Sequence, residues 1–303
     1  GTENAFYFGL SDLSAVFSDG TNDILSLTNA SGDLLVLSDG IAAKFDGQLD
    51  INVTDVTATG IYSLLLNTTG TAIDQSFLVD GNPQLLQVEA GPFVRIVGNG
   101  VDLNIAGQTL SGSFGFEQNA AGEVLVQLTD IRAAFSDGGT DILVFENGHG
   151  VLLLTAAGAA ADLAGDLDIT LPDVSASGSF RFILNTTPTA VNRTIDLTGT
   201  AQTLNVGPGT FIQIVGREVS LNVLGNELSG DFGFQQAADG RVLGQISNAR
   251  LAFNNGSRDI IFLDNGNGAL IATTAGLAFE FGGELTVDLP DVSVTGSFAV
   301  AAN

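Results

Sequence analysis

The chain has 303 residues and 31.0 kDa, with 9 Lys plus Arg against 34 Asp plus Glu, a formal net charge of −25 and a mean hydropathy of +0.34. That acidity repels nucleic acid and anionic lipid, whose recognition requires neutralised phosphates, and zero Cys excludes disulfides and thiolate metal sites. No apolar run approaches the roughly 20 residues of a membrane-spanning helix, so membrane insertion is not expected.

From the N-terminus, Phe6, Phe8 and Leu10 alternate with small or polar residues, the two-residue period of a half-buried strand. The alternation then slips by three residues, from Leu10 to Leu13, which reads as a bulge or bend. Ala15-Val16-Phe17-Ser18-Asp19-Gly20-Thr21-Asn22-Asp23-Ile24 follows, a polar loop between apolar segments. Further on come Gly60, the string Leu66-Asn67-Thr68-Thr69, and a second alternating run at Val101, Leu103 and Ile105. Hairpin tips are expected at Asn119 to Gly122, Ser136 to Thr140, Asn147 to Gly150 and Asn205 to Thr210, where Gly, Asn and Asp gather. Between the first two of these tips, Val124, Val126 and Leu128 slip to Ile131, Ala133 and Phe135. Leu171-Pro172-Asp173-Val174 reads as a second kind of bend, because Pro cannot donate a ladder hydrogen bond.

These features recur at a fixed step. Gly60, Gly178 and Gly296 differ by 178 − 60 and 296 − 178, both 118. Leu66-Asn67-Thr68-Thr69 returns at Leu184, the string around Phe93 returns around Phe211, and the slip at Leu10 returns between Ile246 and Ala249. The chain therefore divides into a partial repeat unit at 1–98, a complete unit at 99–216 and a partial unit at 217–303. Neither end shows the polar cap usual at the end of an array, and there is no Met, so the chain is expected to be a segment of a longer polypeptide. The expected fold is an all-β antiparallel meander whose long bent strands form tandem sandwich, prism or flattened-barrel units with a 118-residue period. The 20 Phe residues alternate with polar ones and are assigned to the core.

Residues for catalysis are few. The sole His, His149, lies in the expected turn at Asn147 to Gly150, where the other units carry Ser31 and Asn267, so an acid-base role would exist in one unit only. Nucleophile schemes that need Cys or a repeated His are absent, and so is any phosphate loop. Asp pairs of the kind that hydrolyse glycosides remain the least favoured alternative, since the chain has zero Trp and two Tyr to stack on sugars. Asp55, Asp173 and Asp291 are read as turn residues whose side chains satisfy exposed amides. No cofactor is required. The candidate ligand is calcium, a hard cation suited to Asp19, Asn22 and Asp23 and to their counterparts Asp137 and Asp141, although the third copy places Arg258 there. Asn67-Thr68-Thr69 and Asn185-Thr186-Thr187 have the form of glycan acceptors.

Long tandem units rich in Gly, Asp, Asn, Val, Thr and Phe, with strings such as SDGGTDILVF and LPDVSASGSF, resemble the repetitive regions of very large secreted bacterial surface proteins and adhesins. The resemblance implies an extracellular or cell-surface location. It also implies a non-catalytic structural role in a fibre, surface layer or adhesin stalk, with neighbouring units and copies of the same protein as partners. The alternative is a repeated binding module for glycans, cations or a surface.

Overall fold

The computed structural model describes residues 5–18, 21–79, 81–137 and 139–303. The described residues form strands and turns and no helix, as alternation with Gly-Asn-Asp punctuation demands. The chain divides into two compact units.

The first unit comprises Gly1–Ala133, His149–Ala156 and Arg193–Thr203. In it β1 (Phe6–Ser18), β2 (Asp23–Leu37), β3 (Gly40–Val53), β4 (Val56–Asn67), β7 (Phe93–Ile105) and β8 (Gln108–Asn119) are successive hydrogen-bonded neighbours. The short strands β5 (Ile73–Val79) and β6 (Asn82–Val88) form a separate hairpin. The second unit comprises Ala134–Gly148, Ala157–Asn192 and Leu204–Asn303. Here β11 (Gly158–Leu171), β12 (Val174–Asn185), β15 (Phe211–Val223) and β16 (Asn226–Ala237) run in succession, followed by β17 (Val242–Asn254), β18 (Asp259–Thr273), β19 (Gly276–Leu289) and β20 (Val292–Ala302). β9 (Val124–Asp137), β10 (Thr140–Thr155), β13 (Val191–Ile195) and β14 (Gln202–Val206) have residues in both units, and β13–β14 is the second hairpin. Every strand pairs antiparallel in a meander whose first and last strands have one neighbour each. The sheet is thus not closed, which removes the flattened barrel from the expected arrangements.

The sequence period is also a geometric period. β7 and β15 start at 93 and 211 and end at 105 and 223, while β3, β11 and β19 start at 40, 158 and 276. Left-handed backbone recurs at Asp12, Asp130 and Asn248 (φ 52°, 53° and 53°) and at Asn29, Asn147 and Asn265 (φ 51°, 53° and 51°). Short polar side chains tolerate this conformation better than most L-residues.

These residues are bulges. The β1–β2 register shifts between Leu10 and Leu13, and the β17–β18 register shifts between Ile246 and Ala249, at the slips read from the alternation. Asn248 Nδ2 donates to Asp231 Oδ2 at 2.8 Å, and the Glu218 amide donates to Asp231 Oδ1 at 2.8 Å, so one carboxylate ties two bulged strands together. The Glu218 amide first, and then Asn248, hold Asp231 below the ordinary carboxylate range. Asn248→Val is expected to cost about 1–2 kcal/mol from left-handed strain alone. Asn248→Gly frees the backbone and loses only the bond to Asp231, so its urea midpoint should lie well above that of the valine variant. Equal midpoints would refute the bulge as the source of the loss.

An expected turn and an expected bend are different in the structure. Asn147 to Gly150 is not a hairpin tip but lies inside β10, and His149 is an exposed residue of that strand. Asn147 there donates to Asp166 Oδ2 at 2.8 Å, and Asn-Gly signals a left-handed bulge as readily as a turn. Conversely, Leu171-Pro172-Asp173-Val174 is not a bend within one strand but the tip joining β11 to β12, with Leu171 paired to Val174. Pro172 followed by Asp173 at φ 62° has the residue pattern of a type II turn. Asp55, Asp173 and Asp291 therefore serve through their backbone. The carbonyls of Asp55 and Asp173 accept from the amides of Ala106 (2.7 Å) and Leu224 (2.9 Å) at the adjacent tips. Asn119 to Gly122 is a turn as expected, closed by Asn119 N to Glu123 O at 3.1 Å. The expected tip at Asn205 to Thr210 joins no hairpin, since Asn205 lies within β14 and residues 207–210 link β14, which pairs with β13, to β15, which pairs with β12 and β16. The expected tip at Ser136 to Thr140 contains residue 138, outside the described residues.

Candidate functional site

Directly opposed residues of antiparallel strands share a face. In the first unit one such row runs Leu10, Gly32, Phe45, Leu64, Ile96 and Phe116 from β1 to β8. The second unit repeats it with Leu163, Phe182, Ile214 and Phe234 from β11 to β16. Along β3 the same face carries Leu49, Ile51 and Val53, so the apolar surface extends down the strand. The opposite face is different. There β3 carries Lys44, Asp46, Gln48 and Asp50, and cross-strand polar pairs form, such as Ser179 Oγ to Asp166 Oδ1 at 2.6 Å and Thr286 to Thr295 at 3.1 Å.

The apolar face is open. Phe8, Ile96, Phe116, Ile214 and Phe234 are all among the exposed large side chains, with Phe8 at 58%. Most Phe residues are therefore not buried core, contrary to the assignment made from their alternation. Phe93 is the one Phe among the buried core side chains of the described residues. The accessible surface is 17269 Å². A compact chain of this mass exposes about 12,000 Å², and two compact halves together about 14,000 Å². Apolar grooves lie on this face, one of about 390 Å³ lined by Leu10, Leu27, Phe45, Leu49 and Leu64, another of about 430 Å³ lined by Phe232, Phe234, Ile246, Leu270 and Phe279. A contiguous apolar face of this kind has the chemistry to bind a second apolar surface.

The other face carries the covered core. The hairpin β5–β6 seats Ile73, Leu86 and Val88 on Leu35, Ala42 and Phe93. Tyr7 stacks on Phe77 with ring centroids 3.8 Å apart and donates its hydroxyl proton to Asp33. Burial, then the bond to Asp33 and its charge, push the Tyr7 phenol up, and burial beside Phe114 pushes Tyr62 up as well. A raised phenol contributes stability that is fully present below its unfolded pKa, about 10, and is lost as pH rises through the folded value. Absorbance at 295 nm should therefore show both tyrosines of the folded chain ionising above the midpoint seen in urea. Coincident midpoints would overturn this assignment.

The Asn-Thr-Thr strings anchor the hairpins. Asn67 is fully buried, and its Nδ2 donates to Thr71 O (2.8 Å) and Glu89 O (2.7 Å), while its Oδ1 accepts from the Thr69 amide and hydroxyl, both at 2.8 Å. Asn185 repeats the arrangement with Thr189 O, Gly207 O and Thr187. Neither amide is available to a glycan in the folded chain. Sequence reading missed this clamp, although its recurrence before each hairpin was a signal.

Of the residues read as cation ligands, Asp19 lies outside the described residues. Asn22 and Asp23 flank the start of β2, Asp137 ends β9 and Asp141 is near the start of β10, all exposed. Asp141 Oδ1 accepts from Ser136 Oγ at 2.6 Å. Among the described residues no three His, Asp or Glu side chains gather in a metal-holding group. In the third copy a guanidinium supplies the positive charge. Arg250 pairs with Asp259 and reaches Glu227 at 2.6 Å and Asp264 at 3.2 Å.

No helix among the described residues is long and apolar enough to cross a membrane. No family model matches the chain, and neither a curated protein nor a solved structure is similar to it.

Proposed function

We propose that this chain is a non-catalytic structural segment of tandem repeats, acting in an extracellular fibre, surface layer or adhesin stalk. The observation that carries this reading is the recurrence, at one 118-residue step, of strand boundaries, left-handed bulges and the open apolar row. A catalytic site needs one asymmetric constellation, whereas length and lateral contact need a surface that repeats. The apolar face serves contact with another sheet of the same assembly, and the opposite face, where the hairpins do not cover it, keeps its acidic residues in water.

Removing residues 99–216 joins Gly98 to Arg217, and Gly98 and Gly216 are equivalent positions in β7 and β15, so the ladder of one strand continues into the other. Stability in such arrays is a sum of unit and interface terms. The shortened protein should keep its strand signal in far-ultraviolet circular dichroism and show a smaller radius of gyration by X-ray scattering. Global unfolding of the deletion would sink the structural reading.

A further inference from the structure

The same side of the sheet that seats the hairpins offers a third seat. In the first unit, residues 193–203 of the second hairpin rest on β8 and β9. A Cβ added at Gly115 would lie 2.4 Å from Leu197 Cβ, so the hairpin packs directly on that glycine. Gln127, fully buried, reads the hairpin backbone: its Oε1 accepts from the amides of Leu197 (2.6 Å) and Thr198 (3.3 Å), and its Nε2 donates to Thr200 O (2.5 Å). Arg193 pairs with Glu123 at 2.9 Å at the edge of the seat.

One period on, in the second unit, Gly233, Leu243 and Gln245 take the places of Gly115, Leu125 and Gln127. Gly233 pairs with Gln245, and Leu243 pairs with Ile271, which pairs with Ala278, so these residues share one face. Here nothing lies within 4 Å of a Cβ built on Gly233. Leu243 is 42% exposed where Leu125 is 4%, and Gln245 is exposed. Ala278 is partly exposed where Ala42 and Ala160 are fully buried. Gly40 and Gly158 crowd Thr68 and Thr186 of the anchoring strings, and the equivalent Gly276 meets nothing within 4 Å.

We propose that the face of β16 to β19 formed by Gly233, Leu243, Gln245, Ile271 and Ala278 is a docking site for a two-stranded β-hairpin of the repeat's own kind. Gly233 admits a hairpin Leu, and Leu243, Ile271 and Ala278 take its aliphatic inner side chains. Gln245 is free to accept from two hairpin amides and donate to one hairpin carbonyl, the exchange that Gln127 makes. Arg241 stands where Glu123 stands in the occupied seat, so the fitting hairpin carries an acidic or neutral residue at the position of Arg193.

The test extends the full chain at Asn303, which is in register with Asn185, by a second copy of residues 186–210 in which Arg193 is replaced by Glu. Amide hydrogen exchange is read at the added strands. The expected result is exchange at least about tenfold slower than in the same segment as a free peptide, since docked strands open only against their local stability. Gly233→Leu, and independently Leu243→Asp, should each return the added amides to the free-peptide rate. Free-peptide exchange in the unmutated extended chain overturns the proposal. So does slow exchange that survives both substitutions. Concentration-dependent protection of Leu243 and Gln245 in the unextended chain would instead assign this face to a second copy.

Discussion

Replacing Asn185 with alanine is expected to cost about 3–4 kcal/mol, because a fully buried amide that makes four hydrogen bonds is lost at once. The Gly207 carbonyl loses its side-chain donor, the Thr189 carbonyl keeps only the Thr187 hydroxyl at 2.8 Å, and the Thr187 amide, itself buried, loses its acceptor. Alanine leaves a space without a polar atom, so its side chain restores a partner to neither the Gly207 carbonyl nor the Thr187 amide. Asn185→Asp is the informative companion. It keeps the shape and both acceptor bonds, yet at neutral pH it turns a carboxylate toward two carbonyl oxygens and cannot donate to either. Its loss should match the alanine variant at pH 7 and shrink as pH falls and the buried acid protonates. Urea unfolding with hydrogen exchange at β13 and β14 would measure both. A midpoint for Asn185→Ala within error of the parent would show that the string Asn-Thr-Thr does not hold the hairpin.

Leu86→Ala is expected to cost about 3 kcal/mol, with the loss concentrated in the hairpin β5–β6. Leu86 is fully buried among Leu35, Ala42, Ile73, Val88 and Phe93, and this is the cluster that fastens the hairpin to the sheet. Its neighbour Leu85 is 55% exposed on the other side of the same strand. Leu85→Ala should therefore change stability by less than about 0.5 kcal/mol. The pair tests the face assignment with one residue type at adjacent positions. Because the hairpin is joined to the sheet through side chains and its anchoring turns, Leu86→Ala should speed exchange in β5 and β6 while leaving β7 and β8 near the parent rate. Equal losses for the two leucines would mean that the cluster does not fasten the hairpin.

Much of the local structure was legible in the residues. Alternation placed strands at Phe6 to Leu10 and at Val101 to Ile105, and the slip from Leu10 to Leu13 marked a bulge that the register contains. The site was less legible. Asn-Gly at Asn147 and Asn265 looks the same whether left-handed backbone closes a hairpin or bulges a continuing strand, and pairing with distant residues such as Asp166 decides between them. Pro172-Asp173 failed in the opposite direction, because a lost ladder bond fits a bend and a turn equally well. The cation ligands were chosen on composition and loop position, and the folded positions of Asn22, Asp23, Asp137 and Asp141 form no acidic cluster among the described residues.

The sequence by itself determined an all-β chain, its antiparallel meander and its period, because strand alternation and turn residues act over a few neighbours and are written locally. Only the tertiary structure decided which apolar face is covered. Phe45 alternates with the polar Lys44 and Asp46 and lies in an open groove, whereas of the adjacent Leu85 and Leu86 the first is exposed and the second has no exposed surface. A two-residue period states that a strand has an apolar side. What lies against that side depends on residues far along the chain, here a hairpin held by the buried Asn67.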